Sequence, residues 1–577
     1  MRFIGLHLLF IVAYASFAQR PSSIFSNVVQ QPAHMSYVQG PIILESAELT
    51  NHLLQSQSLF QNPEYQLQLT HQVSSLTGRH YTYQVIYQGY AMLNVEIKAH
   101  INPSGQLFLI QDNSSIIRAE VSDFKAAKNS QWVQTNVGWK LAEVRILNDK
   151  YATQQIQVGE MIIASEPSKL FFHAPDSLVH ASVFLVNPLN SAGKLYGAPY
   201  TDANDSDVPE LLAEQKWVKM KARFVNDTFW LKSDRYLFGH VSDPKTPQTF
   251  STNDTFYFTR SQNGFEDVNV FFHLTTYSDY LQSIGFESLL PDTLLIDAHA
   301  YGGGDESSFN YNIYPLELEF GEGGVDDAED GEVVLHEFGH ALSFAASPNT
   351  VSGKERAAME EANCDYISTS YSLQYESFGR SAVFNWDGHN EFWNGVRTDV
   401  QKRYPTDLEN STNANRELWS SPLMCIYDKL GRGVTDTLVL EHLYYQSSGA
   451  SMPQMAAIIL RLDSIIYNKK HRGPLFSCFE DYNILTHSSL IEHSNLLNGV
   501  SVLNSSAFAA GLDELTVVNS TLSELSVRVY GLDGKVIYSY KTLDEFSYIS
   551  PNYMVPGLYI VELMVNNQPT YVKIARN

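Results

Sequence analysis

Two histidines four residues apart, with a glutamate directly after the first, stand at His336-Glu337-Phe338-Gly339-His340. On an α-helix, positions i and i+4 fall on one face, so both imidazoles can reach a single metal ion while Glu337 is directed at that ion's open position. The pattern therefore demands a helix at this point of the chain. Its neighbours supply one: Val333-Val334-Leu335 before it and Ala341-Leu342-Ser343-Phe344 after it give the helix an apolar back to set against a core.

A third ligand is expected downstream, inside the helical run from Glu355 to Ser370. Glu361 follows His340 with 20 residues between them, and Asp365 lies one turn beyond it. A carboxylate at Asp365 can hold the second nitrogen of a ligand histidine, His336 by position, and so fix its tautomer. Glu360 is a rival ligand that points about 100° away on the same helix; Glu361 is preferred because it alone has an aspartate four residues on. A solvated helix that carries two histidines by chance would not explain the Glu361–Asp365 pair.

With these residues in place, the chain resembles the fungalysin/thermolysin superfamily of zinc endopeptidases, more closely fungalysin. The likeness extends to Gly321-Glu322-Gly323-Gly324-Val325-Asp326-Asp327-Ala328-Glu329-Asp330 before the motif, to Glu417-Leu418-Trp419-Ser420, and to Tyr427-Asp428-Lys429-Leu430-Gly431-Arg432, over roughly residues 60 to 490. It implies an α+β fold: a thermolysin-like zincin catalytic domain with a β-rich N-terminal lobe and a helical C-terminal lobe, preceded by a β-rich α+β propeptide. It also implies a metalloendopeptidase made as a proenzyme, with Zn2+ on His336, His340 and Glu361, Glu337 as general base, and proteins or peptides as substrates. Ser307-Ser308-Phe309 ahead of Leu316–Phe320 is similar to the family's peptide-binding edge, where Asn-Ala-Phe is usual. One element departs from the pattern. Fungalysins carry His-x-x-Gly-x-aliphatic-Trp, whereas the run here is Asn413-Ala414-Asn415-Arg416-Glu417-Leu418-Trp419, and no tyrosine lies between His340 and Glu361. Asn413 or Arg416 is therefore expected to take over the transition-state donor role, with His389 and Tyr404 as further candidates.

The ends of the chain suggest export. Met1–Ala18 has a basic start, an apolar stretch and a Ser16-Phe17-Ala18 cleavage pattern, which reads as a signal peptide too short for a membrane anchor. From about Leu515 to Asn577 the polarity alternates in period two around a Gly531–Lys535 turn, which predicts a small β-sandwich. Gly534-Lys535, Pro556-Gly557-x-Tyr559 and the basic last strand resemble the C-terminal sorting domain of the type IX secretion system, so its machinery is an expected partner and the outside or surface of the cell the expected location. Between the ends, residues 19–193 read as the propeptide, with hairpins over His80–Gly89 and Leu93–Ile101 and a linker at Asn187–Gly193. Residues 194–496 read as the catalytic domain, 497–514 as a second linker and 515–577 as the sorting domain.

Composition narrows the partners. With 38 Lys+Arg against 63 Asp+Glu, the net charge of −25 argues against nucleic acid and anionic membrane. No segment beyond the signal is apolar enough to span a bilayer. Three cysteines exclude a disulfide framework, and Cys364 and Cys425, on apolar helical runs, are expected as buried thiols. Asp202–Asp207 and Asp326–Asp330 are rich enough in oxygen for Ca2+, without EF-hand spacing; a solvated loop and a dipole-stabilised helix start are the simpler readings. Two other functions share parts of this pattern: a zincin aminopeptidase, which would need an acidic anchor for a free N-terminus, and a non-catalytic surface binding protein, against which the complete set of zinc residues stands.

Overall fold

Alternation along Tyr65–Ser75, where every second side chain is exposed, makes that segment the outer strand of a hairpin with Gly78–Tyr87, which in turn pairs with Tyr90–Ile101. This is a computed structural model, and it describes residues 34–37, 42–43, 45–114, 176–291 and 293–485, with strands within 130–162 and 500–576. The expected signal segment lies outside the described residues. The turn after Tyr90–Ile101 closes through Gly105, at φ +82, whose N–H donates to Asn102 O at 2.9 Å. Tyr83, Val85, Val95, Ile97 and Leu107 form this sheet's own core with Leu49 and Leu53 of a covering helix, Ser46–Ser56.

The sheet docks on the helical part of the molecule through a buried polar seam. The Lys98 ammonium donates to Ser347 Oγ, Tyr444 O and Gln446 O at 2.6, 2.9 and 2.7 Å, so all three of its protons are used. Glu441 accepts from Ser75 and Thr77, and Glu96 from Ser448 N. His80 and His100 face each other, Nδ1 to Nδ1, at 2.6 Å, each stacked on a tyrosine, Tyr444 and Tyr445 respectively. Burial pushes His100 down to about 3 and His80 well below its usual value, and the charge of Lys98 adds to both shifts. Histidines neutral in the fold but free to protonate when released contribute stability that is full above about pH 6.5 and is lost as the pH falls below it. Glu96 and Glu441, raised by burial, titrate in the opposite sense. Between about pH 7 and pH 5 the seam is therefore expected to loosen, read as faster proteolytic release of the N-terminal part, and His100→Gln should flatten that dependence.

From Asp176 the chain enters a second layer. Asp176–Phe184 pairs antiparallel along its whole length with Gln215–Val225, and the helix Gly264–Ser283 packs against it, buried over most of its surface. The segment expected as a linker is instead a short helix, Pro188–Ala192, and part of the core. Asn187 caps it, Pro188 opens it and Gly193, at φ 62, ends it, while Asn187 Nδ2 also reaches Asp330 and Asn385. Turn-forming residues served here as helix caps, which composition cannot distinguish from a linker.

A four-stranded sheet follows in the order Tyr236–Phe238, Leu294–Ala300, Leu316–Gly321, Ser307–Asn310, which leaves Ser307–Asn310 at its edge. Among the described residues six longer helices come after it: Gly331–Ala346, Lys354–Ser372, Glu417–Leu430, Arg432–His442, Met452–Tyr467 and Arg472–Asp481. Their apolar faces share one core with the strands before them. Cys425 is not the expected thiol, because it is bonded to Cys478. It sits at the half-buried edge of its helix, where Arg472–Asp481 brings Cys478 to a Cα separation of 5.8 Å; helical period gave the face but not the helix that meets it. Cys364 is free and buried.

Near the C-terminus, Leu525–Gly531 lies between Val536–Thr542 and Gly557–Val565, which pairs with Gln568–Arg576. A second set, Val500–Leu503, Leu515–Asn519 and Phe546–Ile549, contributes Val517 and Ile549 to the same core as Val527, Val529, Val561 and Leu563. The whole is mixed α and β. Among the described residues no helix is long and apolar enough to cross a membrane.

Candidate metal centre

The motif helix, Gly331–Ala346, starts at Asp330, whose carboxylate accepts from Glu332 N at 2.9 Å. Within it His336 and His340 turn the same way, and the facing helix, Lys354–Ser372, brings Glu361 between them. The close approach of the two helices depends on Gly339, where a Cβ would lie 2.9 Å from Cys364 Sγ and 3.1 Å from its Cα. His336 Nε2 is 3.5 Å from Glu361 Oε2, and His340 Nε2 is 3.8 Å from Glu361 Oε1. Ligands about 2.1 Å from a tetrahedral ion stand about 3.4 Å apart, so the three side chains converge on one ion's first shell. Two imidazoles and one carboxylate, with the fourth position left open, make the donor set of a catalytic rather than a structural zinc site.

Each ligand histidine has an outer carboxylate. His336 Nδ1 is 3.3 Å from Asp365 Oδ1, a contact without the angle of a hydrogen bond, and His340 Nδ1 is 3.3 Å from Glu360 Oε1. Glu360, the rival ligand, is thus turned away from the Nε2 side; it also accepts from Ser343 Oγ at 2.6 Å and Arg356 Nη1 at 2.7 Å. Asp365, fully buried, accepts from Arg416 Nε at 2.7 Å and from its Nη2, and Arg416 Nη1 lies 3.8 Å from Glu361 Oε2. Burial works against each of these charges and the partners overcome it. Asp365 and Glu361 lift His336 to about 9, while Arg416 and the histidines hold Asp365 and Glu361 below the usual carboxylate range. Deprotonated carboxylates beside imidazoles are what a cation needs, and its arrival would displace the proton from His336.

Glu337 lies outside the ligand group. Its Oε1 accepts from Ser307 Oγ at 2.9 Å, which sets the general-base candidate beside the edge strand Ser307–Asn310. The sequence placed Ser307 on that edge but gave no sign of this contact, because it depends on how the sheet meets the helix. The Phe384 ring sits against His336 at 5.3 Å, held by its backbone N–H to Glu332. Asn413 is exposed on the short helix Thr412–Asn415, so of the two donor candidates Arg416 is the one at the ligands. The Tyr404 hydroxyl is directed at Glu355, and His389 Nε2 lies within 3.2 Å of the Val383 and Val396 carbonyls.

The oxygen-rich runs divide differently from the expectation. The Arg260 guanidinium sits in the Asp202 cluster, at 3.3 Å from Asp202 and 2.6 Å from Glu329, so a built-in cation offsets part of that charge. Asp330 is spent as a helix cap.

No family model and no curated protein sequence matches the chain. Among solved structures it is similar to the precursor of protealysin, a metalloproteinase from Serratia proteamaculans. The identity is 9%, the match covers 43% of this chain and 84% of that one, and the TM-score is 0.34.

Proposed function

We propose that this chain is a zinc-dependent metallopeptidase, an endopeptidase made as a precursor, exported through the signal segment and the C-terminal β unit. The observation that carries the reading is the convergence of His336, His340 and Glu361 within 4.8 Å of one another, with Glu337 beside them and outside the ligand set. Zinc bound there supplies an acidified water and a Lewis acid for a peptide carbonyl. Glu337 takes the proton from the attacking water and delivers it to the departing amine, so its carboxylate must be ionised and aimed. Ser307 aims it by donating to Oε1. An extended peptide would add to the free edge of Ser307–Asn310 through backbone hydrogen bonds, which tolerate the Ser-Ser-Phe sequence. Asp365 and Glu360 orient the two imidazoles, and Arg416 holds Asp365 while offering Nη1 towards the ligand side. The N-terminal sheet, fastened through Lys98 and Glu441, is read as the propeptide, and the C-terminal unit as the address for type IX export. Hydrolysis of casein that stops with a chelator and returns with Zn2+ is the expected result; cleavage of N-blocked peptides distinguishes an endopeptidase from an aminopeptidase.

A further inference from the structure

Three carboxylates from separate parts of the chain meet with no basic partner among the described residues. Asp305 belongs to the loop between Leu294–Ala300 and the edge strand, Asp327 opens the turn ahead of the motif helix, and Asp387 follows Trp386 in the loop that carries Phe384. One oxygen of each lies within 4.8 Å of the other two. Donors 2.3–2.6 Å from one calcium ion stand up to about 5 Å apart, so the separations suit a hard cation. The second observation is an orphan: Asp387 is 3% exposed, and its Oδ1 has no hydrogen-bond partner although its Oδ2 accepts from Trp393 Nε1 at 3.2 Å. Asp327 is equally buried and accepts only from Gly321 N among the bonds described, at 3.2 Å. A buried carboxylate oxygen left unpaired beside two other carboxylates is costly unless an ion satisfies it. The contrast with the Asp202 cluster is direct, since Arg260 sits in that one and no lysine or arginine among the described residues pairs with this one. Burial and then mutual repulsion push Asp327 and Asp387 well above the carboxylate range.

We propose that Asp305, Asp327 and Asp387 bind a hard divalent cation of calcium's class, which ties the edge-strand loop, the start of the motif helix and the Phe384 loop to one another. Asp305 is exposed and gives the ion its way in from solvent. Ser307 lies two residues beyond Asp305 and Phe384 three before Asp387, so the ion braces the groups that touch Glu337 and His336. The site stands apart from the peptidase reading, because none of its ligands binds the zinc.

The test uses the full chain carrying Glu337→Gln to prevent self-cleavage, stripped of metal, reloaded with Zn2+ and titrated with Tb3+. Emission sensitised by tryptophan is expected, from the indoles nearest Asp387, with Ca2+ competing it away. Asp305→Asn, a change at an exposed carboxylate that should leave folding intact, is expected to weaken Ca2+ by about tenfold or more with zinc content unchanged. Asp387→Asn should do the same. Unaltered Ca2+ affinity in both folded variants would overturn the site, as would terbium emission in the parent that Ca2+ does not displace. Ca2+ binding at this site in a chain with Glu337 intact that hydrolyses no casein when loaded with Zn2+ would count against the peptidase reading alone.

Discussion

Glu337→Gln is expected to leave the fold and the bound metal unchanged and to lower peptide hydrolysis by about 10²–10⁴-fold. The three candidate metal ligands are His336, His340 and Glu361, and Glu337 meets Ser307 rather than any of them. The amide of glutamine has the same shape and its oxygen can still accept from Ser307, so packing is preserved. What it lacks is the ability to take a proton from water and return it to the leaving amine. Turnover, metal content and thermal melting measured on one preparation separate these effects. Near-normal turnover in a metal-replete variant would contradict the role assigned to Glu337.

The next largest effect is expected at Arg416. Asp365 is fully buried and receives two hydrogen bonds from the Arg416 guanidinium; Arg416→Ala leaves that carboxylate with His336 alone. Removing one member of a buried pair costs about 3–5 kcal/mol, since the remaining charge stays out of water. Because Asp365 in turn orients His336, metal affinity should fall by about 10–100-fold. Arg416→Lys should recover only part of this, as a single ammonium cannot reproduce the two-pronged contact. Asn413→Ala, at an exposed position, should alter neither stability nor kcat. Denaturant unfolding and zinc titration of the three variants check the assignment. A fall in kcat alone, with stability and metal affinity intact, would show instead that Arg416 acts on the substrate as a donor.

The convergence of the candidate metal ligands was readable in the sequence because its determinants are local. His336 and His340 are four apart on one helix, and Glu361 and Asp365 four apart on the next, so helical period alone sets which atoms share a face. The motif helix followed from its apolar back, whereas the Lys354–Ser372 helix is buried at nearly every position and was marked by the Glu361–Asp365 spacing rather than by an amphipathic pattern. What the sequence left out depends on long-range meetings. The Ser307–Glu337 contact, the place of Glu360 behind His340, the Cys425–Cys478 bond and the Asp305–Asp327–Asp387 group each join segments whose proximity no spacing encodes. Asn187–Gly193 failed for another reason, because asparagine, proline and glycine serve equally as linker residues and as the caps of a buried helix.

The central claim is that His336, His340 and Glu361 hold one zinc ion that is required for peptide hydrolysis. Elemental analysis of the purified full chain, beside Glu361→Ala and Glu360→Ala, tests it most directly when casein hydrolysis is followed on the same samples. The account expects one zinc per chain in the parent, little or none with no hydrolysis in Glu361→Ala, and retained though weakened zinc in Glu360→Ala. Full zinc occupancy and full activity in Glu361→Ala, or a parent that hydrolyses casein equally well after its metal is removed, would contradict it.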